Sequence, residues 1–200
     1  MKTIDDIGDL EALYPPAVPT AVAKVASWVT PHYRTWIEAS RFLVLATACP
    51  EGTDASPRGD NEPVVRIADA RTLLLPDWRG NNRLDSLRNI VTDGRVSLMF
   101  MVPGCTNVVR VNGDAVLTAD PDLTASFERC GKTPATVIVI TIKEVYFQCA
   151  KAILRSKIWS GEDLSRSVPT AGDFIKEFKD GFDGTAYDEG YPEYAKERMW

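Results

Sequence analysis

Histidine is almost absent, with His32 the one imidazole in 200 residues. This scarcity leaves no Ser/His/Asp or Cys/His set for nucleophilic catalysis, and it counts against haem, although haem can use other ligands. His32 falls among helical residues near the N-terminus and reads as packing or surface. Cys49, Cys105, Cys130 and Cys149 are irregularly spaced with no C-x-x-C pair. Neither a zinc site nor a redox dithiol is signalled, and reduced thiols fit a cytoplasmic protein. No stretch approaches the roughly 20 apolar residues that span a bilayer. The opening Met1-Lys2-Thr3-Ile4-Asp5-Asp6 lacks the apolar core of a secretory signal. The expectation is a cytoplasmic chain with no membrane partner. A formal net charge of −5 repels nucleic acid at long range, so no nucleic-acid partner is expected either.

A chain of this length buries about 70% of its extended surface, so no disulfide or metal is needed to hold it. No repeat, low-complexity tract or long linker divides it. One domain over 1–200 is expected, with a helical lead (1–41), a barrel (42–148) and a helical C-terminal segment (149–200). In the lead, apolar residues recur at helical spacing over 20–30 and 32–40. From Phe42 the pattern changes to short β-branched and apolar runs at 42–48, 63–68, 72–75, 95–102, 108–117 and 137–148, broken by Gly, Pro, Asp and Asn. Six such runs predict a mainly β fold with flanking helices (α+β), a six-stranded antiparallel split β-barrel. Helices are predicted at 83–92, 122–130, 149–157 and 171–179.

The stretch from Leu73 to Leu87 runs from a strand through Pro76-Asp77-Trp78-Arg79-Gly80-Asn81-Asn82-Arg83 into a helix. Asn81 or Asn82 is placed to cap that helix, and free first-turn N–H groups suit an anion. Arg79 and Arg83 add two guanidinium groups, enough with an Asn amide to grip a phosphate. They would equally serve as surface partners of Asp77 and Asp85. A second polar cluster, Asp54-Ala55-Ser56-Pro57-Arg58-Gly59-Asp60, sits between the first two predicted strands as a loop longer than a hairpin needs. Its side chains offer donors and acceptors to a heteroaromatic ring edge. Later, Lys151 and Arg155 are one helical turn apart and share a face, suited to an anionic ligand, a partner subunit or solvent.

These pieces in this order resemble the pyridoxamine 5'-phosphate oxidase-like FMN-binding split barrels, in particular a bacterial subgroup. The motifs are Ser56-Pro57-Arg58-Gly59-Asp60, the loop from Pro76-Asp77 through Gly80-Asn81-Asn82-Arg83-Leu84-Asp85, and Arg110-Val111-Asn112-Gly113. The resemblance covers roughly residues 36–160. It implies a homodimer with FMN at the subunit interface. Arg79, Asn82 and Arg83, beside Asp77, would take the phosphate, with Arg66 at a strand position that contacts FMN and Ser56, Arg58 and Asp60 near the ring. Lys151 and Arg155 would reach the cleft from either subunit. The oxidases proper carry Ser-x-Lys where this chain has Asn81-Asn82-Arg83, and their pyridoxal phosphate signature is not evident here. What the resemblance implies is therefore a flavin-dependent oxidoreductase acting on an unidentified small molecule, with catalytic residues unassigned. A non-catalytic flavin store or sensor, or a barrel using haem or a deazaflavin, remains the alternative.

Overall fold

The computed structural model describes residues 1–149 and 151–199. Three short helices lead in, α1 (Ile7–Glu11), α2 (Pro19–Ala23) and α3 (Pro31–Ala39). Strands β1 (Phe42–Cys49), β2 (Gly52–Gly59), β3 (Arg66–Asp69) and β4 (Thr72–Asp77) precede helix α4 (Asp85–Thr92). Then follow β5 (Arg95–Met101), β6 (Asn107–Thr118), α5 (Pro121–Ala125) and β7 (Thr136–Cys149). Helices α6 (Lys151–Ser156), α7 (Ala171–Phe178) and α8 (Gly184–Arg198) end the chain. Of the helix predicted over 149–157 and the segment 149–200, residues 150 and 200 lie outside the described residues.

The strands form one antiparallel sheet in the order β2-β1-β5-β6-β7-β4-β3. It has seven strands where the sequence pattern predicts six, and the addition is β2, expected as a loop. The sheet curls without closing. Four strands lie between β2, which carries Arg58, and β4, which carries Asp77, yet these side chains meet at 2.5 Å. This is the geometry of a split barrel.

Period-two alternation fills its interior. Leu43 and Leu45 of β1, Val96, Leu98 and Phe100 of β5, and Ile138, Ile140 and Ile142 of β7 are all buried in one cluster. Helix α3 contributes Ile37 to that cluster, and Tyr33 ties the lead to β7 by donating to the Lys24 carbonyl and accepting from the Phe147 amide. The helix predicted over 20–30 stops at Ala23, because Ala26 instead pairs with Val145 of β7. Helix α4 is pinned from below by buried Ile90 and by Asn89 Nδ2 donating to Thr47 Oγ1 on β1 at 3.0 Å. Its N-terminus is thereby fixed at the mouth of the curled sheet.

Beyond the sheet, α7 and α8 form a hairpin in which Gly172 and Gly184 approach backbone to backbone, so that a Cβ on Gly172 would lie 2.2 Å from the Gly184 oxygen. Among the described residues, no helix is long and apolar enough to cross a membrane.

Candidate functional site

Where β4 ends, the chain turns through residues 78–84 before entering α4, and this turn has unusual backbone. Asn81 Oδ1 accepts from the Arg83 amide at 3.1 Å, while Asn82 and Leu84 adopt left-handed φ values of 61° and 63°. Asn tolerates that region; leucine does not, at a cost of about 1–2 kcal/mol. Leu84 is the N-cap of α4 and no side chain caps the helix. The sequence pattern predicts a helix from 83 capped by Asn81 or Asn82. Instead Asn81 spends its carbonyl two residues too early, and α4 begins at Asp85 with its first-turn amides lacking a side-chain acceptor. By contrast, α1, α3, α5, α7 and α8 all have a capping Asp or Thr.

This turn forms one wall of a cleft of about 980 Å³. The second wall is the inner face of β2, with Asp54, Ser56 and Arg58, and the third is the segment 133–136 leading into β7. A chain of hydrogen bonds joins the first two walls. Arg58 Nη1 donates to Asp77 Oδ1, and Arg58 Nε donates to Ser56 Oγ at 3.1 Å. Ser56 Oγ lies 3.2 Å from Ser86 Oγ, which donates to Asp54 Oδ2. Arg83 pairs with Asp85 at 2.8 Å but is largely exposed, so the pair is weak and displaceable. Arg79 is exposed and, among the described residues, has no hydrogen bond or ion pair. Thr136 Oγ1, at the base of the third wall, is buried without a hydrogen-bond partner.

Six of the ten residues singled out from the sequence line this one cleft: Ser56, Arg58, Asp77, Arg79, Asn82 and Arg83. Four do not. Asp60 is buried beneath Arg129, which also reaches Glu62 and lies 5.7 Å from the Trp78 ring. Arg66 lies 3.7 Å over the Phe127 ring and donates to Ser126 Oγ and the Ser126 carbonyl, engaged with the α5 region. Lys151 and Arg155 are exposed on α6 and do not line the cleft. From the sequence, Asp54 is legible only as a polar member of its cluster and Ser86 not at all, although it stands in the stretch from Leu73 to Leu87. Only their partners across the cleft mark them.

These residues suit a phosphorylated heteroaromatic. An uncapped helix start beside the exposed Arg79 and the loosely paired Arg83 could hold an anion, and the buried Thr136 hydroxyl leaves hydrogen-bonding capacity deeper in.

No curated protein matches the chain. HupZ of Group A Streptococcus superposes with a TM-score of 0.49 at 15% identity, covering 60% of this chain and 94% of its own. A candidate pyridoxamine 5'-phosphate oxidase from Lactobacillus delbrueckii gives 0.48 at 21% identity, covering 60% and 95%. An FMN-binding protein from Syntrophomonas wolfei gives 0.43 at 12% identity, covering 57% and 86%. Likeness at this level speaks to no shared ligand or activity. The family model for pyridoxamine 5'-phosphate oxidase is more direct, because it matches residues 29–149, from just before α3 to the last residue of β7. Over that span, which holds the whole sheet and the whole cleft, the chain belongs to the pyridoxamine 5'-phosphate oxidase family.

Proposed function

We propose that the chain binds FMN in this cleft and works as a flavin-dependent oxidoreductase on a small molecule. The observation that carries the reading is the strained, uncapped start of α4 at Leu84, in the same cleft as Arg79 and Arg83. A phosphate monoester there accepts from the free amides and both guanidinium groups, and it supplies the cap that Leu84 cannot. Asn82 takes the left-handed backbone of the turn, and the Arg58–Asp77 pair joins β2 to β4 at the cleft. Ser56 and Thr136 offer hydroxyl groups to the ring and ribityl chain. When bound, FMN supplies hydride or electron transfer, and the residues named here bind and orient it. A flavin holder without turnover would use the same residues; reduction and reoxidation of the holo-protein distinguishes the two.

The test is to titrate the protein with FMN and with riboflavin, following flavin fluorescence. FMN is expected to bind at least about ten-fold more tightly, since each charge-assisted hydrogen bond to phosphate contributes about 1.5–3 kcal/mol. Equal affinities would remove the phosphate cradle, and no binding of either would remove the flavin.

We also propose a homodimer with the cofactor at its interface. Trp28, Phe147, Leu154, Ile158 and Trp159 are exposed apolar side chains contributed by the lead, β7 and the region of α6. Apolar surface of this kind is covered most often by a two-fold partner. Gel filtration of the FMN-loaded protein is expected to report a dimer. A monomer that binds FMN tightly would overturn the interface.

A further inference from the structure

The chain Arg58–Ser56–Ser86–Asp54 has a fixed direction. A guanidinium only donates and a carboxylate only accepts, while each serine hydroxyl has one proton. Ser86 gives its proton to Asp54, so the proton between the serines belongs to Ser56. Ser56 in turn accepts from Arg58 Nε. Both hydroxyls therefore point toward Asp54, and toward the cleft they have lone pairs only.

The same geometry sets the neighbouring group. Arg58 spends Nε on Ser56 and Nη1 on Asp77, and Nη2 is unclaimed among the described residues. In the planar guanidinium, the Nε–H and one Nη2–H lie parallel on one edge. The cleft thus presents a hydrogen-bond acceptor, Ser56 Oγ, beside a donor, Arg58 Nη2. We infer that this pair reads an imide or lactam edge, a ring N–H next to a carbonyl, with the N–H donating to Ser56 and the carbonyl accepting from Arg58. Asp54 and Ser86 are positioning residues, touching no ligand but forcing Ser56 to accept. A ring with a bare acceptor nitrogen at that place is rejected because Ser56 has no proton left to offer it, and an alkylated nitrogen is rejected because it has no N–H to give Ser56.

The inference rests on the flavin reading, in which the edge is the pyrimidine edge of the isoalloxazine, whose N3–H lies between two carbonyls. FMN and N3-methyl-FMN are the probes, as both keep the phosphate. The wild-type protein is expected to bind the methylated flavin about ten-fold or more weakly. In Ser56→Ala the acceptor is lost and the methyl group gains room, so the discrimination is expected to fall to about two-fold or less, whereas in Asp54→Ala the hydroxyls are free to reverse and FMN itself is expected to bind a few-fold more weakly. Asp54→Asn, whose amide oxygen still accepts, is expected to keep the wild-type affinity for FMN. Ser86→Ala, which breaks the chain at its middle, is expected to behave as Asp54→Ala does and stands in if that variant fails to fold.

Equal affinity of the wild type for both flavins would overturn the inference and leave FMN binding intact. Discrimination undiminished in Ser56→Ala would mean that the methyl group is excluded by shape, and unchanged FMN affinity in both Asp54→Ala and Ser86→Ala would mean that Ser56 needs no positioning; either result overturns it. Binding of neither flavin would bring down the flavin reading and this inference with it.

Discussion

Gly113→Ala is expected to destabilise the fold by about 3 kcal/mol, at the upper end of what overpacking costs. Gly113 lies in the middle of β6, where the ladder with β7 slips: Asn112 faces Glu144 but Gly113 faces Ile142, so Lys143 bulges out. The bulge drives the two backbones together. A Cβ on Gly113 would sit 2.1 Å from the Thr141 carbonyl oxygen and 3.0 Å from its carbon. Both are main-chain atoms of the neighbouring strand, so no rotamer change relieves the overlap. Either the bulge is lost, turning β7 residues beyond it to the wrong face, or the β6–β7 ladder opens at the centre of the sheet. Denaturant unfolding checks this. Gly190→Ala serves as control, since nothing lies within 4 Å of its would-be Cβ in helix α8, and it is expected to be neutral or slightly stabilising. A loss below about 1 kcal/mol for Gly113→Ala would mean that the bulge relaxes.

This constraint explains why the Arg110-Val111-Asn112-Gly113 motif was legible as a family mark but not as geometry. Strands with apolar alternation, such as β1, β5 and β7, declare themselves because one face is core. β2 does not, since its inward residues Asp54, Ser56 and Arg58 are polar and its outward ones include Pro57. Its pairing with β1 from Phe42↔Gly59 to Cys49↔Gly52 overrides weak intrinsic propensity, and an edge strand tolerates the proline. The inversion has a cause, because that face lines the cleft. Helix α8 was hidden for another reason: Gly190, Pro192 and the tyrosines Tyr187, Tyr191 and Tyr194 give no apolar stripe facing the core, and the tyrosines stay half-exposed. At the site, the loop and both arginines were legible from residue types. The direction of the hydroxyl chain and the role of Arg129 over Trp78 were not, because both depend on partners 30 or more positions away.

The largest functional effect is expected from removing both cations at the start of α4. Arg79→Ala/Arg83→Ala is predicted to weaken FMN by about 3 kcal/mol, roughly a hundred-fold or more, while riboflavin affinity stays within about two-fold. Arg83→Ala alone is expected to cost about 1.5–3 kcal/mol. The double loss is less than twice the upper figure because Arg83 must first leave Asp85, and because exposed guanidinium groups are screened by solvent and salt. Asp85→Asn therefore changes the opposite way, freeing Arg83 and tightening FMN a few-fold. Folding should be untouched, as both arginine side chains are exposed and neither contributes to the core. Parallel titrations of FMN and riboflavin, repeated at low and high salt, separate the outcomes. If the two flavins weaken together, the arginines act on the ring or on the loop rather than on the phosphate. If only FMN weakens and its salt dependence shrinks, the phosphate lies at the helix start, where Leu84 leaves the amides uncapped.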